Sequence, residues 1–188
     1  FLGAPRSGAQ SVSTPIPRHT VVYHAYRYTV YWLEYPPGSG HWYESIPYKW
    51  GYGDSIDNIG QGASGCNCCS DWFQRRLSSG CNAGCDSQAG ADCSGYITRV
   101  WGRPINEKWG TSNIAANSTL VPYSARDNDL RIRMRMGDVF DDWYGTSDAC
   151  HVVLLYYFDP NDYPLNKPVY YEENAGPCKA RLNRGGWE

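Results

Sequence analysis

The chain has 188 residues, enough for one domain of ordinary size with a real core. Its 17 Lys and Arg stand against 19 Asp and Glu, a formal charge of −2, which excludes a nucleic-acid binder held by bulk positive charge. No run of about 18 apolar residues occurs, so no segment reads as a membrane-spanning helix.

With 15% aromatic residues and so little net charge, disorder is not expected. The 16 Tyr and 8 Trp give much of the apolar area a polar handle, which suits half-exposed clefts and interfaces. The first methionine is Met134, so a chain beginning at Phe1 is expected either to begin inside a longer product or to have been processed, most simply by removal of a secretory signal. The cysteines Cys66, Cys68, Cys69, Cys81, Cys85, Cys93, Cys150 and Cys178 point the same way, because many cysteines in a small exported domain usually mean disulfides. The expected location is secreted, extracellular or cell-wall associated.

In chain order, residues 1–19 are rich in Ser, Pro and Gly and read as an extended N-terminal arm, and residues 20–188 as one domain. Thr20 to Tyr35 is dense in aromatic and β-branched residues. Propensity favours a strand there, while its length also allows a buried helix, and periodicity does not settle the matter. Pro36-Pro37-Gly38-Ser39-Gly40 ends the segment. Residues 41–52, HWYESIPYKWGY, cluster Tyr and Trp that suit either sugar stacking or a core rim. Residues 60–92 form a Gly-, Ser- and Cys-rich insertion with five of the eight cysteines, read as a long cross-linked loop.

Cys93, Ile97, Val100 and Trp101 then recur at helical spacing, Asp92 stands at the N-cap position, and Gly102-Arg103-Pro104 supplies a stop. Residues 105–128 read as polar connection. Arg131 to Met136 alternates as a strand with three Arg on one face, a face expected to be solvated and paired with acids. Cys150 to Phe158 is a buried strand, and Pro168 to Glu173 the next one. Helices first and an antiparallel sheet after make an α+β domain.

A thiol becomes a nucleophile when its thiolate is stabilised, and a helix N-terminus does this through unpaired N–H groups and the macrodipole. Cys93 is expected to have that placement. His151 opens the strongest predicted strand and is the candidate base, whereas His19, His24 and His41 lack a comparable context. A third polar group normally orients such an imidazole. Glu172, Glu173 and Asn174, at the end of the following strand, are the candidates.

Taken in order, Tyr48-Lys49-Trp50-Gly51, Asp92-Cys93-Ser94-Gly95-Tyr96, Gly137-Asp138-Val139-Phe140 and His151-Val152 resemble the motifs of the NlpC/P60 cysteine peptidases. The resemblance spans roughly residues 20–175. It implies a papain-like α+β fold and hydrolysis of peptidoglycan stem peptides, commonly between D-glutamate and a diamino acid. By the same resemblance Cys93 is the nucleophile and His151 the base; the family usually has His, Asn or Gln soon after that histidine, and here Glu172, Glu173 and Asn174 are the candidates for the third polar residue. Tyr48, Trp50, Asp92 and Ser94 would then line the substrate cleft, with Tyr48 and Asp92 holding the peptide's amino end. Segment 20–35 becomes a helix beneath the site. The Glu-x-Asn spacing of Glu172 and Asn174 is closer to the related CHAP amidases.

Two other readings arise from the same residues: an N-acetylmuramoyl-L-alanine amidase or acyl transferase of this fold, and a non-catalytic, disulfide-stapled surface module. Cys150 with Cys178 is a candidate bridge, and the five cysteines of the insertion cannot be paired from sequence. Those five could instead offer thiolates to zinc, but exported thiols usually oxidise. No metal or other cofactor is expected, and the expected partner is a peptidoglycan peptide rather than nucleic acid or membrane.

Overall fold

A computed structural model of the chain describes residues 16–34, 38, 40, 42–46, 48, 53–57, 90–104, 107–119, 133–141, 151–161, 167–174 and 179–185. Residues 1–15 of the expected arm, most of the Cys-rich insertion, Trp50, and the Cys150–Cys178 pair lie outside the described residues, and Arg18 and His19, expected at the end of the extended arm, instead open a helix.

Segment 20–35 is where local preference and tertiary context disagree, and context decides. Helix α1 runs Arg18–Val30 and buries Val21, Val22, Ala25 and Tyr28, a one-sided helical spacing. Tyr23 and Tyr26 on its other side are exposed. The Pro17 carbonyl accepts the N–H groups of Thr20 and Val21 and so starts the helix. Over most of 20–35 the helix that the family resemblance implies therefore replaces the strand that propensity favours, but it ends at Val30, and Trp32–Glu34 within the segment is a strand. A short antiparallel hairpin comes next, β1 Trp32–Glu34 with β2 Trp42–Glu44.

Helix α2, Cys93–Val100, is buried along its whole length, and α3, Thr111–Ala116, falls within the stretch expected to be plain connection. A four-stranded antiparallel sheet completes the domain: β3 Val139–Asp141, β4 Val152–Phe158, β5 Pro168–Asn174 and β6 Lys179–Arg184, in the order β3-β4-β5-β6. The described residues thus form the α+β architecture expected from the sequence.

The sheet separates two apolar clusters. Val152, Leu154, Tyr171 and Ala180 pack with α1 and α2, whereas Phe140, Val153, Leu155 and Tyr170 pack on the opposite face. No helix among the described residues is long and apolar enough to cross a membrane.

One expected strand is absent from its described part. Within the alternating segment 131–136, Arg133–Met136 lies outside every strand, and Gly137 sits in the ensuing turn with φ +88°. The Asp138 carboxylate accepts the Arg135 N–H at 2.7 Å, and the Asp138 N–H donates to the Arg135 carbonyl at 2.9 Å. Arg18 pairs with Asp138 and donates to the Met136 carbonyl at 2.9 Å. These contacts close a turn against α1, which the alternation of Arg and Met does not encode.

Helix α2 also fixes the loop after it. Buried Arg99 donates to the carbonyls of Arg103 (2.8 Å), Pro104 and Glu107. Thr98 Oγ1 donates to Ser94 O at 2.7 Å and accepts the Trp109 N–H at 3.1 Å. The loop is thereby folded back along the helix, which brings Lys108 to the helix N-terminus.

Candidate active site

Asp92 caps α2 as the sequence predicts. Its Oδ1 accepts the Gly95 N–H at 2.6 Å and the Ser94 hydroxyl at 2.9 Å. Lys108 Nζ lies 2.9 Å from Oδ2. Both oxygens are therefore engaged, so a substrate ammonium could reach Asp92 only by displacing Lys108. Ser94 is buried and spends its hydroxyl on the cap.

Cys93 opens the helix as a buried thiol, outside any disulfide. Cys93 packs in the same core cluster as Val152, the residue after His151, so the start of α2 and the start of β4 lie together.

The surroundings of the sulfur oppose a standing thiolate. Burial, and next the Asp92 charge, push the Cys93 thiol up to about 12. The Val152 and Ser94 amides and the Lys108 ammonium act in the opposite direction without cancelling this. A helix N-terminus stabilises an anion only so far as the sulfur's desolvation leaves room for it.

Tyr48 is buried and forms a bridge with Ala91, and Gly53 forms another with the same residue. A Cβ on Gly53 would stand 3.2 Å from the Gly95 Cα, so glycine at 53 lets this strand-like segment lie directly on the first turn of α2. Ser45 and Ile46 tie the same segment to β6, since Ala180 N–H donates to Ile46 O at 3.0 Å.

His151 and Glu172 come together across β4 and β5. The imidazole Nε2 is 2.9 Å from Glu172 Oε2, and an ionised carboxylate can only accept, so Nε2 carries the proton. Glu172 Oε1 in turn accepts Arg181 Nε–H at 2.7 Å and Asn183 Nδ2–H at 2.9 Å, and Arg181 Nη2 forms an ion pair with it at 2.6 Å. Glu173 points to the other face of β5. It is fully buried, and neither carboxylate oxygen has a hydrogen-bond partner among the described residues. Desolvation, followed by the charges of Asp92 and Glu172, holds its carboxyl well above the usual range. For Asn174 only the backbone is described, paired with Lys179.

Of the residues singled out in the sequence, the structure brings Cys93, Asp92, Ser94 and Tyr48 to one end of α2, and Cys93 packs in one core cluster with the start of the strand that follows His151. It chooses Glu172 over Glu173 as the partner of His151. Lys108, Arg181 and Asn183 are not found by sequence reasoning. The usable signal for the last two is the spacing Arg181-x-Asn183 in a short alternating stretch after the Glu172 strand, which puts both on one face of a paired strand.

Comparison of the chain with family models, with curated proteins and with solved structures returns no match. Among the described residues no group of three or more His, Cys, Asp or Glu side chains could hold a metal ion.

Proposed function

We propose that this protein is an exported thiol hydrolase of the NlpC/P60 type, acting on amide bonds of peptidoglycan stem peptides between D-glutamate and a diamino acid. The observation that carries the reading is the 2.9 Å contact of His151 Nε2 with Glu172, joined to a thiol seated beside the Val152 amide. Order of motifs along the sequence and the α+β arrangement support the papain-like assignment.

Because the sulfur rests as a thiol, attack begins with a proton transfer. His151, held through Nε2, takes the Cys93 proton on Nδ1 as the sulfur adds to the amide carbonyl. The backbone N–H at the start of α2 faces the developing oxyanion. The imidazolium then gives its proton to the leaving amine, and a thioester remains on Cys93. Water, deprotonated by His151, hydrolyses the thioester and restores the thiol. Glu172 holds the ring in the tautomer this cycle needs and balances its transient charge.

Contact of His151 with a glutamate favours one second reading, the N-acetylmuramoyl-L-alanine amidase, whose CHAP relatives use a Glu-x-Asn pair. Digestion of purified wall with mass analysis of the products separates the two: an endopeptidase cuts within the stem, an amidase frees it whole. Cys93→Ala should abolish product release while leaving the melting temperature unchanged, and release that persists refutes both.

A further inference from the structure

Glu172 is 2% exposed, and a carboxylate in that setting stays ionised and aimed only if its surroundings supply donors and a balancing charge. β6 supplies both. Arg181 donates its Nε–H to Oε1, and its Nη2 is paired with the same oxygen at 2.6 Å. Asn183 adds a second donor to that oxygen. Its second amide hydrogen goes to the Tyr170 hydroxyl at 3.1 Å, and its Oδ1 accepts the Arg184 N–H at 2.9 Å, so the amide is locked in one orientation. Tyr170 is anchored in turn, donating to Gly185 O at 3.0 Å. The result is a division of labour: Arg181 and Asn183 hold Oε1, and the imidazole meets Oε2.

We propose that Arg181 and Asn183 are positioning residues for the base: they fix one oxygen of Glu172 so that the other receives His151 Nε2–H, and the guanidinium offsets the carboxylate charge acting on the imidazole. The proposal rests on the reading of His151 as the base. The charged and titratable groups around Glu172 are His151 before β4, Arg181 on β6 and Tyr170 on its own strand, with Glu173 and Tyr96 on the far side feeling its charge. A salt bridge to a guanidinium one-third exposed adds little to stability by itself.

The test tracks the His151 ring by NMR through a pH titration of the full chain, which has only four histidines. Removing the cation in Arg181→Gln should raise the His151 midpoint relative to wild type by about one pH unit, roughly tenfold in proton affinity. Arg181→Lys should return most of that rise. The acid limb of kcat/KM on a γ-D-glutamyl-lysine-containing stem peptide should move upward with it. A midpoint unmoved in Arg181→Gln, or a melting temperature that falls with no change in either pH profile, overturns the proposal. Should Arg181→Gln fail to fold, Asn183→Leu provides the second reading: kcat falls with KM unchanged if aim is lost, and an unchanged kcat counts against positioning. Turnover that survives Cys93→Ala would instead refute the hydrolase reading, while the NMR titration reports on Arg181 separately.

Discussion

Glu172 and Glu173 are neighbours on β5, equally buried, and opposite in circumstance. Glu172 faces the side of β6 that carries Arg181 and Asn183, makes hydrogen bonds with His151, Arg181 and Asn183, and is ion-paired with the Arg181 guanidinium. Glu173 pairs across the strands with Ala180, faces the helices, and finds none among the described residues. Burial by itself therefore says nothing about whether a carboxylate is a working part. The supply of donors on the facing strand does, and pleating by one residue is enough to change it.

The largest effect should come from breaking the partnered member. Glu172→Gln keeps the shape but loses the charge, and with its amide oxygen held by the Arg181 and Asn183 donors it turns an NH2 group toward Nε2–H. It should lower kcat by about 10²–10⁴, the range for disrupting the orienting group of a nucleophile–base pair. Glu173→Gln at the next position should leave kcat within about threefold, since that carboxyl touches no reacting group. Equal losses from the two substitutions, measured on the same stem peptide, would erase the distinction between the faces.

Cys93 lies between these extremes, buried like Glu173 and offered N–H groups like Glu172. Movement of its thiol from 9.0 to about 12 cuts the thiolate population about a thousandfold at a given pH. Labelling of Cys93 by iodoacetamide in the absence of substrate should accordingly be slow at pH 7 and rise about tenfold per pH unit toward pH 10, without a plateau. Mass analysis of the modified peptide measures this. A plateau near neutral pH would mean a standing ion pair with His151. The fold favours the protonated thiol, so its contribution to stability is complete below pH 9 and is lost as pH rises toward 12.

Much of this arrangement is legible in the sequence, and the parts that are not share a cause. The N-cap role of Asp92 and the helix opened by Cys93 are short-range, set by residues within one turn. Strands β4 and β5 are legible because runs such as Val152–Phe158 have few other uses. The helix at 18–30 is not legible from propensity, because burial on one side decides it. The choice between Glu172 and Glu173 depends on register with β6, whose short alternating sequence carries no distinctive signal. The elevated thiol depends on how much chain covers the sulfur, which a motif does not state.

Glu173 offers a stability test of the same contrast. Its raised carboxyl means that the folded state prefers the protonated form. The fold is therefore favoured fully below the ordinary value of 4.5, and that advantage is lost as pH rises through the raised one. Glu173→Met, similar in length and without polar atoms to satisfy, should stabilise the protein at pH 7 by roughly 1–3 kcal/mol. The gain should shrink as the pH is lowered toward 4.5. Denaturant melts at pH 4.5 and 7 check this, and a gain constant with pH would mean that Glu173 does not change its protonation on folding.

The smallest effect tests the seat of the nucleophile. Gly53 presses on the first turn of α2, and a methyl group there would meet the Gly95 Cα at 3.2 Å and Gly95 O and Arg99 Nε at 3.5 Å. None of these atoms is the end of a flexible chain: two belong to helix backbone and the third to a guanidinium held by carbonyls of the following loop. In Gly53→Ala the helix start must therefore shift by a few tenths of an ångström, carrying Cys93 away from the Val152 amide. The cost in stability should be about 1 kcal/mol. The drop in kcat should be larger than that figure alone suggests, because the sulfur and the imidazole sit on different elements and alignment is lost between them. Gly53→Ala that is destabilised but fully active would show that the meeting of α2 and β4 tolerates such a shift, and that the close packing at Gly53 serves stability alone.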